Sequence, residues 1–506
     1  MTHSTGLRSA VCFSALVAGG AAQADVTAAQ VWEDWKSQMN VYGEDTLSVG
    51  AEEANGDTLV VRDVTFSFSD DLVSTTAEMG DITLTEQGDG SVSITVADSY
   101  PIVVTTEDGA VVTLDVTQSG MEMLVSGDED EMTYTVSADA YGIALRDVVD
   151  GDITFTGDAS LTARDMTGTY VTSLEGELRQ LDYSGEIASV DLVIDVEPPA
   201  RNGAAGEYIR ANATYTGLSF QADMSLPENI DLAESDDIFT KGFAIAGGYE
   251  IAGMEFAIDA NVEGDQVVGQ GSGGAATLDG EINSDVLRYD AQVTDLNVAL
   301  NLPPSQFPFP IEVSLGEYGV GIEMPVGQSD EAEDFRLSFD FVDLTLNDML
   351  WDIFDAGKVL PRDPATIQLA IAGTAKPLFD LLDPAQEKAI DNADMPFELE
   401  ALSLENLRIA LAGALVTGEG DFTFDNTDTE TFAPMPRPEG SATVEMSGLN
   451  ALMDNLVAMG LVPEDQIMGG RMMLGMFART TGDDQLETAV EINGEGHVLV
   501  NGQRVR

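Results

Sequence analysis

From Asp57 to about Leu300, apolar residues recur at every second position: Val64, Phe66 and Phe68, then Ile82 and Leu84, then Val92, Ile94 and Val96. A period of two puts alternate side chains on one face of an extended chain, so this pattern predicts strands with one apolar face. Turn sequences separate them, at Gln87-Gly88-Asp89-Gly90, Glu107-Asp108-Gly109, Ser126-Gly127-Asp128 and Gly157-Asp158. That spacing joins successive strands as hairpins. The alternation resumes through Tyr208 to Phe220, Phe243 to Ile258 and Leu287 to Leu300, with no helical crossover long enough to make strands parallel. The expected fold class is a β-rich α+β fold, in which a long curved antiparallel β-sheet, a meander of hairpins, carries a few amphipathic helices.

Helical spacing occurs at a few places. Thr27 and Gln30 form a capping-box pattern ahead of Val31, Trp32, Trp35 and Met39, and Gly43 stops the series. This N-terminal helix is expected to plug one end of the sheet. Asn347 is placed to cap a helix carrying Leu350, Trp351, Ile353 and Phe354, and Pro377 suits the first turn of another. Near the C-terminus Leu449, Leu452, Leu456 and Met459 share a helical face, Gly460 breaks it, and Pro463 restarts a helix bearing Ile467 and Met472. A C-terminal helical hairpin follows from that, with strands Leu486 to Ile492 and His497 to Val500 after it.

Proline-rich stretches at Glu197-Pro198-Pro199 and from Leu302-Pro303-Pro304 to Pro310 are the boundary candidates. The second divides the chain into an N-terminal antiparallel β region with the initial helix (residues 25–300) and a C-terminal α+β region (301–506), which a continuous sheet would merge into one elongated body. Residues 1–24 read as a signal peptide: Arg8 in a polar start, an apolar core from Ala10 to Ala18, and the small-residue site Ala22-Gln23-Ala24. The expected location is the periplasm, with cleavage after Ala24. Cys12 lacks a lipobox, and no other apolar run reaches the roughly 18 residues of a membrane span.

Cleavage removes Cys12 and His3 and leaves His497 as the one imidazole. Disulfide frameworks, thiolate nucleophiles and Cys/His metal sites then lack their side chains, so no cofactor and no catalytic residue is expected. Charge narrows the partners. The chain has 21 basic and 90 acidic residues, and only Arg8 leaves with the signal, so the cleaved product carries 20 against 90, a net −70. Such a field repels nucleic acid and anionic surfaces and strains the folded state at low ionic strength.

Other motifs resolve into ordinary structure. Gly269-x-Gly271-x-x-Gly274 matches a dinucleotide fingerprint by letters, but Ala275 to Gly280 reads as strand and turn, so a flexible hairpin loop is expected. Asp128 to Glu131 and Asp425 to Glu430 lack the spacing and glycine of a calcium loop and read as solvated turns. His497 reads as a strand imidazole, since no G-x-S-x-G elbow accompanies it. Met468, Met472 and Met476 form a stripe read as a packed helix face, or as a deformable apolar surface for a ligand. An outer-membrane barrel is disfavoured by 7% aromatic residues and a non-aromatic C-terminus.

Val31-Trp32-Glu33-Asp34-Trp35-Lys36, Gly56-Asp57-Thr58-Leu59, Leu360-Pro361-Arg362-Asp363-Pro364-Ala365, Gly418-Glu419-Gly420-Asp421-Phe422, Pro438-Glu439-Gly440 and Gly494-Glu495-Gly496-His497 together resemble the bacterial family called domain of unknown function 2125. The resemblance spans the mature chain and is most specific after Leu360. It implies an alphaproteobacterial envelope protein without an assigned active site, and likeness to AsmA-type exported β-rich families implies lipid handling. The expected function is a non-enzymatic periplasmic binder of a lipid or other apolar ligand. Its candidate cover over the sheet is Leu452, Leu456, Met459, Met468, Met472 and Met476. The alternatives are an envelope scaffold that works through protein contacts and a carboxylate-dependent hydrolase.

The charge yields a first prediction. The Debye length falls from about 10 Å at 0.1 M salt to about 3 Å at 1 M. The melting temperature should therefore rise with NaCl across that range; a flat response in scanning calorimetry would contradict self-repulsion.

Overall fold

The computed structural model describes residues 25–39, 46–69, 72–151, 153–155, 157–197, 206–227, 237–393 and 395–506. The expected signal peptide and Gly43 lie outside them. Every strand pairing is antiparallel, and the strands follow one another across a single sheet in near-sequential order. The longest run through its middle: Glu131–Asp150, Asp158–Glu175, Leu178–Val196, Tyr208–Pro227 and Ala244–Val262. Each is joined to the next by continuous registers such as Tyr170↔Tyr183, Tyr183↔Ala222 and Ala222↔Gly247. The ladder also crosses residues 300 and 301, because Val286–Asn301 pairs with Ile311–Pro325.

One row of residues shapes all of these strands. Asp63, Asp165, Asp295 and Asp343 lie in mid-strand with φ of 50°, 48°, 52° and 57°, and Gly80 and Gly217 with 75° and 60°. Left-handed backbone costs an L-residue roughly 1–2 kcal/mol, least for Gly, Asn and Asp. The registers on either side of Asp165 set Ala188, Gly217 and Ala252 in line with it, and those around Asp295 do the same for Gly316 and Asp343. On one side of the row's aspartates the neighbour is small. A Cβ on Gly316 would stand 3.2 Å from the Asp343 Cβ, and one on Gly50 only 2.7 Å from an Asp63 carboxylate oxygen.

A left-handed residue interrupts the two-residue alternation, as it does in a β-bulge. The consequence is visible in strand Thr58–Ser69. Val61 and Val64, three apart and therefore on opposite faces of a regular strand, are both fully buried in one core with Asp63 between them. Around Gly80, Ile82 is fully buried in this core and the half-buried Met79 packs against it. The apolar series takes this step of three on the other strands of the row: Ile187 to Val190, Tyr215 to Leu218, Ile251 to Met254, Val293 to Leu296, Leu315 to Tyr318 and Phe341 to Leu344. The sheet thus bends along the row while one side stays apolar from end to end.

Helices close the two ends. α1 (Ala28–Met39) carries the expected capping box: the Thr27 backbone N–H donates to Gln30 Oε1 at 2.9 Å, and the Gln30 N–H to Thr27 Oγ1 at 3.3 Å. Its Val31 and Trp32 fill the principal core with Leu59, Ile82, Leu84, Val92, Ile94 and Val125. The Trp32 indole N–H donates to Glu52 at 2.7 Å. α1 is fastened further by Asp34, which accepts from Arg179 at 2.7 Å and from the Tyr134 hydroxyl at 2.8 Å. α2 (Asp348–Phe354) starts at Asn347, whose side chain accepts from the Leu350 N–H at 3.1 Å. α3 is Glu387–Asp391, and α4 (Leu449–Ala458) and α5 (Glu464–Phe477) form the C-terminal hairpin across Gly460, φ 72°.

Two expectations are corrected. Pro377 opens no helix; it ends strand Ala365–Pro377, paired with Phe397, because the neighbouring strand Phe397–Leu411 reaches that far. The glycine triplet is no flexible loop, since Gly269 and Gly271 lie inside strand Asp265–Gly273. They are glycines because side chains cross over them: a Cβ on Gly271 would meet the Phe256 ring at 2.4 Å.

Position 295 tests the bent row, since Asp295 is exposed and left-handed. Asp295→Gly should leave thermal stability unchanged or raise it. Asp295→Val, β-branched at positive φ, should lower it by about 1–3 kcal/mol in denaturant melts. Equal stability of the two variants would contradict the role assigned to the row.

Candidate functional site

Cross-strand partners share a face, so the apolar side can be followed strand by strand. One line runs Val136, Gly168, Gly185, Phe220, Tyr249, Leu278, Ala291, Val320, Phe339, Leu369, Leu407, Gly418, Val444 and Thr488. A parallel line passes through Tyr134, Tyr170 and Tyr183, and further on through Tyr289, Ile322, Leu337 and Ile371. Beyond the bent row a third line joins Ile143, Leu161, Leu192, Ala213, Phe256, Gly271, Val298, Val313 and Leu346.

Among the described residues, only the ends of this face are covered. Under α1 the rings of Tyr134 and Tyr170 stack at 4.2 Å and those of Tyr170 and Tyr183 at 5.3 Å, with Gln38 donating to the Tyr170 hydroxyl at 3.1 Å. At the other end Trp351, Leu360 and Ala412 form a small core with Leu346 against it. Arg362 holds α2 there, bonded to Asp348 and Asp352 with its guanidinium 5.8 Å from the Trp351 ring. Between the ends large apolar side chains stay open to solvent: Tyr249 is 47% exposed, Leu161 and Leu337 43%, Phe220 42% and Tyr289 39%. A continuous exposed face of this kind marks a binding surface.

The six residues expected to form a cover are divided. Leu452 and Met459 of the α4 segment pack against the Trp351 core, and Leu456 is half-buried. Met468, Met472 and Met476 are 64–65% exposed, so the stripe is not a packed helix face. The α5 residues facing the protein are Ile467 and Leu474 instead.

The opposite face is polar. A shallow cavity of about 1110 Å³ is floored by Thr135, Ser137, Thr167, Thr169, Ser184 and Ser219, with Glu122, Glu186, Glu250 and Asp279 among its acids and no basic residue. The acidic segments singled out in the sequence are tied internally. Asp128 accepts from the backbone N–H groups of Asp130 and Glu131. Arg437 bridges Asp425 at 2.7 Å and Asp428 at 3.2 Å, and bonds to Thr427 and Thr431 respectively help to lower both carboxyls below their ordinary range. His497 precedes strand Val498–Val500 and lies 3.2 Å from Glu495. Among the described residues no group of three or more His, Cys, Asp and Glu is placed to hold a metal ion.

Sequence reasoning missed the apolar lines, although the steps of three in the apolar series are their trace in the letters. It also missed a facing pair of carboxyls, Asp182 and Asp223, on neighbouring strands. Burial, and next the hydrogen bond with Asp223, hold the Asp182 carboxyl above the usual range. A carboxyl raised on folding favours the fold while protonated, and that contribution is lost as pH rises through the folded pKa. Asp182→Asn should therefore raise the melting temperature at neutral pH. The gain should vanish as pH falls below the ordinary aspartate value of about 3.9. A shift of the same size at both pH values in calorimetry would contradict the pairing.

A family model described as "Uncharacterized protein conserved in bacteria (DUF2125)" matches residues 248–502, from the strand Ala244–Val262 to the last strands. The segments quoted before Gly248 lie outside that match. No curated protein and no solved structure matches the chain. No helix of the described residues is long and apolar enough to cross a membrane.

Proposed function

The chain belongs to the DUF2125 family of uncharacterized bacterial proteins, and we propose that this member binds the acyl chains of a lipid along the apolar face of its sheet. The binding is non-enzymatic and takes place in the periplasm, after export with cleavage behind Ala24. The observation that carries the reading is the unbroken apolar line from Val136 to Val444, left open to solvent between two capped ends. A side chain such as Tyr249 or Leu337 that moves from water to contact with an acyl chain contributes about 25 cal/mol per Å² of apolar area covered. An acyl chain needs no hydrogen-bonding partner, which matches a face that offers few. Leu452 and Leu456 of α4, with Met459 just after it, would close the far end against the acyl chain, and no catalytic group is asked to act.

The test is a native mass spectrum of the protein exported by a bacterial host and purified without detergent. A lipid-sized adduct on the wild type is expected. Tyr249→Glu combined with Tyr289→Glu places charge on two exposed positions of the face and should remove the adduct while melting remains cooperative. A bare polypeptide mass for the wild type, or an adduct that survives both substitutions, would overturn the reading.

A further inference from the structure

The apolar face is free of charge as well as open. Among the described residues, the line from Val136 to Thr488 and the line from Tyr134 through Tyr289 to Ile371 hold no Asp, Glu, Lys or Arg. The line beside the bent row, from Ala138 through Ile187, Ile251, Tyr318 and Ile409 to Leu486, holds none either. In a chain with 90 acidic and 21 basic residues, the two faces are thus segregated by charge. The same strands turn their charges the other way, where Asp182, Asp223, Glu281, Arg288, Glu323 and Arg336 share one line.

The guanidinium groups at the two ends are already engaged. Arg179, under α1, bonds to Asp34 at 2.7 Å and to Thr172 at 3.0 Å, and Arg362 bonds to Asp348 and Asp352 of α2. A phosphate or carboxylate head finds no uncommitted cation on these lines, and a charge brought onto apolar surface without a partner is costly. The head of a bound lipid therefore stays in water at the margin of the sheet, and the acyl chain makes the contacts.

The face does not measure the chain either. Neighbouring strands lie about 4.8 Å apart, so the line from Val136 to Val444 spans about 55 Å. The hydrocarbon core of a bilayer, about 30 Å thick, holds two layers of chains, so a single chain needs about half of that. The covered ends of the face stand farther apart than one chain is long, and no end wall limits its length.

We propose that the face takes lipids as a class by their acyl chains, without discriminating among anionic, zwitterionic and uncharged heads. Affinity is set by the apolar area covered and rises with chain length. This selectivity rests on the acyl-chain reading above.

The experiment is displacement of a fluorescent fatty acid from the purified full chain by single-chain competitors, at raised NaCl to screen the overall charge. The competitors are fatty acids, lysophosphatidylcholines and monoacylglycerols of about 12, 14 and 16 carbons, each below its micelle-forming concentration. At one chain length the three heads should agree within about threefold. Each added methylene should tighten binding roughly fourfold for all three, which corresponds to about 0.8 kcal/mol. Tyr249→Glu with Tyr289→Glu, on exposed positions of the face, should weaken the three heads by a common factor. A head that changes affinity more than about tenfold at fixed chain length, or an affinity that stops rising beyond the shortest chain, would overturn the proposal and leave the acyl-chain reading standing. A fluorescent fatty acid that fails to bind the wild type would also overturn it, and the native mass spectrum above then decides whether the acyl-chain reading falls with it.

Discussion

The structure depends on a backbone constraint: left-handed residues placed at one level across many strands. A sheet of strands up to 20 residues long, with the usual alternation, would extend as a twisted ribbon with one apolar side. Bending it in mid-strand at ordinary residues would throw the apolar series to the other side. The row of Asp and Gly positions takes up the bend, and the step of three in the apolar series compensates for it, as Val61 and Val64 show by sharing one core across Asp63. Aspartate suits that place because it tolerates positive φ and its carboxylate stays in water, while the small residues opposite make room.

The same constraint explains where the protein is stiff and where it is open. Full burial is concentrated under α1, where Trp32, Val31 and the Asp34–Arg179–Tyr134 cluster fasten the helix to the first strands. Removing one member of that largely buried ion pair is destabilising, by about 3–5 kcal/mol for a typical buried pair. The Trp351 core at the other end is small. Between them, among the described residues, backbone ladders rather than a second layer hold neighbouring strands, so the apolar face is available to something other than those residues. The opposite face carries hydroxyls and carboxylates, in a chain with a net charge of −69.

Much of this was legible in the sequence, for identifiable reasons. Period-two alternation and glycine turns gave the antiparallel meander, and the capping patterns at Thr27–Gln30 and at Asn347 gave two helix starts, because both signals act through local geometry. Pro377 misled because a proline that suits a helix start is equally at home at a strand end, and only the partner strand decides. The glycine triplet misled because glycine reports a close approach as readily as a loop, and the Phe256 ring that crosses Gly271 comes from another strand. The methionine stripe has helical spacing whether it faces core or solvent. Its exposure depends on Ile467 and Leu474 taking the inward side. The step of three was present in the letters, but its meaning needed the knowledge that each step falls on one level of the sheet.

The central claim is that the apolar face continues across the bent row and holds acyl chains there. Photolabelling with a diazirine-bearing fatty acid, followed by peptide mapping, addresses it directly. The account predicts labels on both sides of the row and on one face, for example at Tyr289 and Ile322 on one side and at Val298 and Val313 on the other. Labels that fall instead on the polar face, at Thr167, Glu186 or Ser219, or labels that stop at the row, would contradict it.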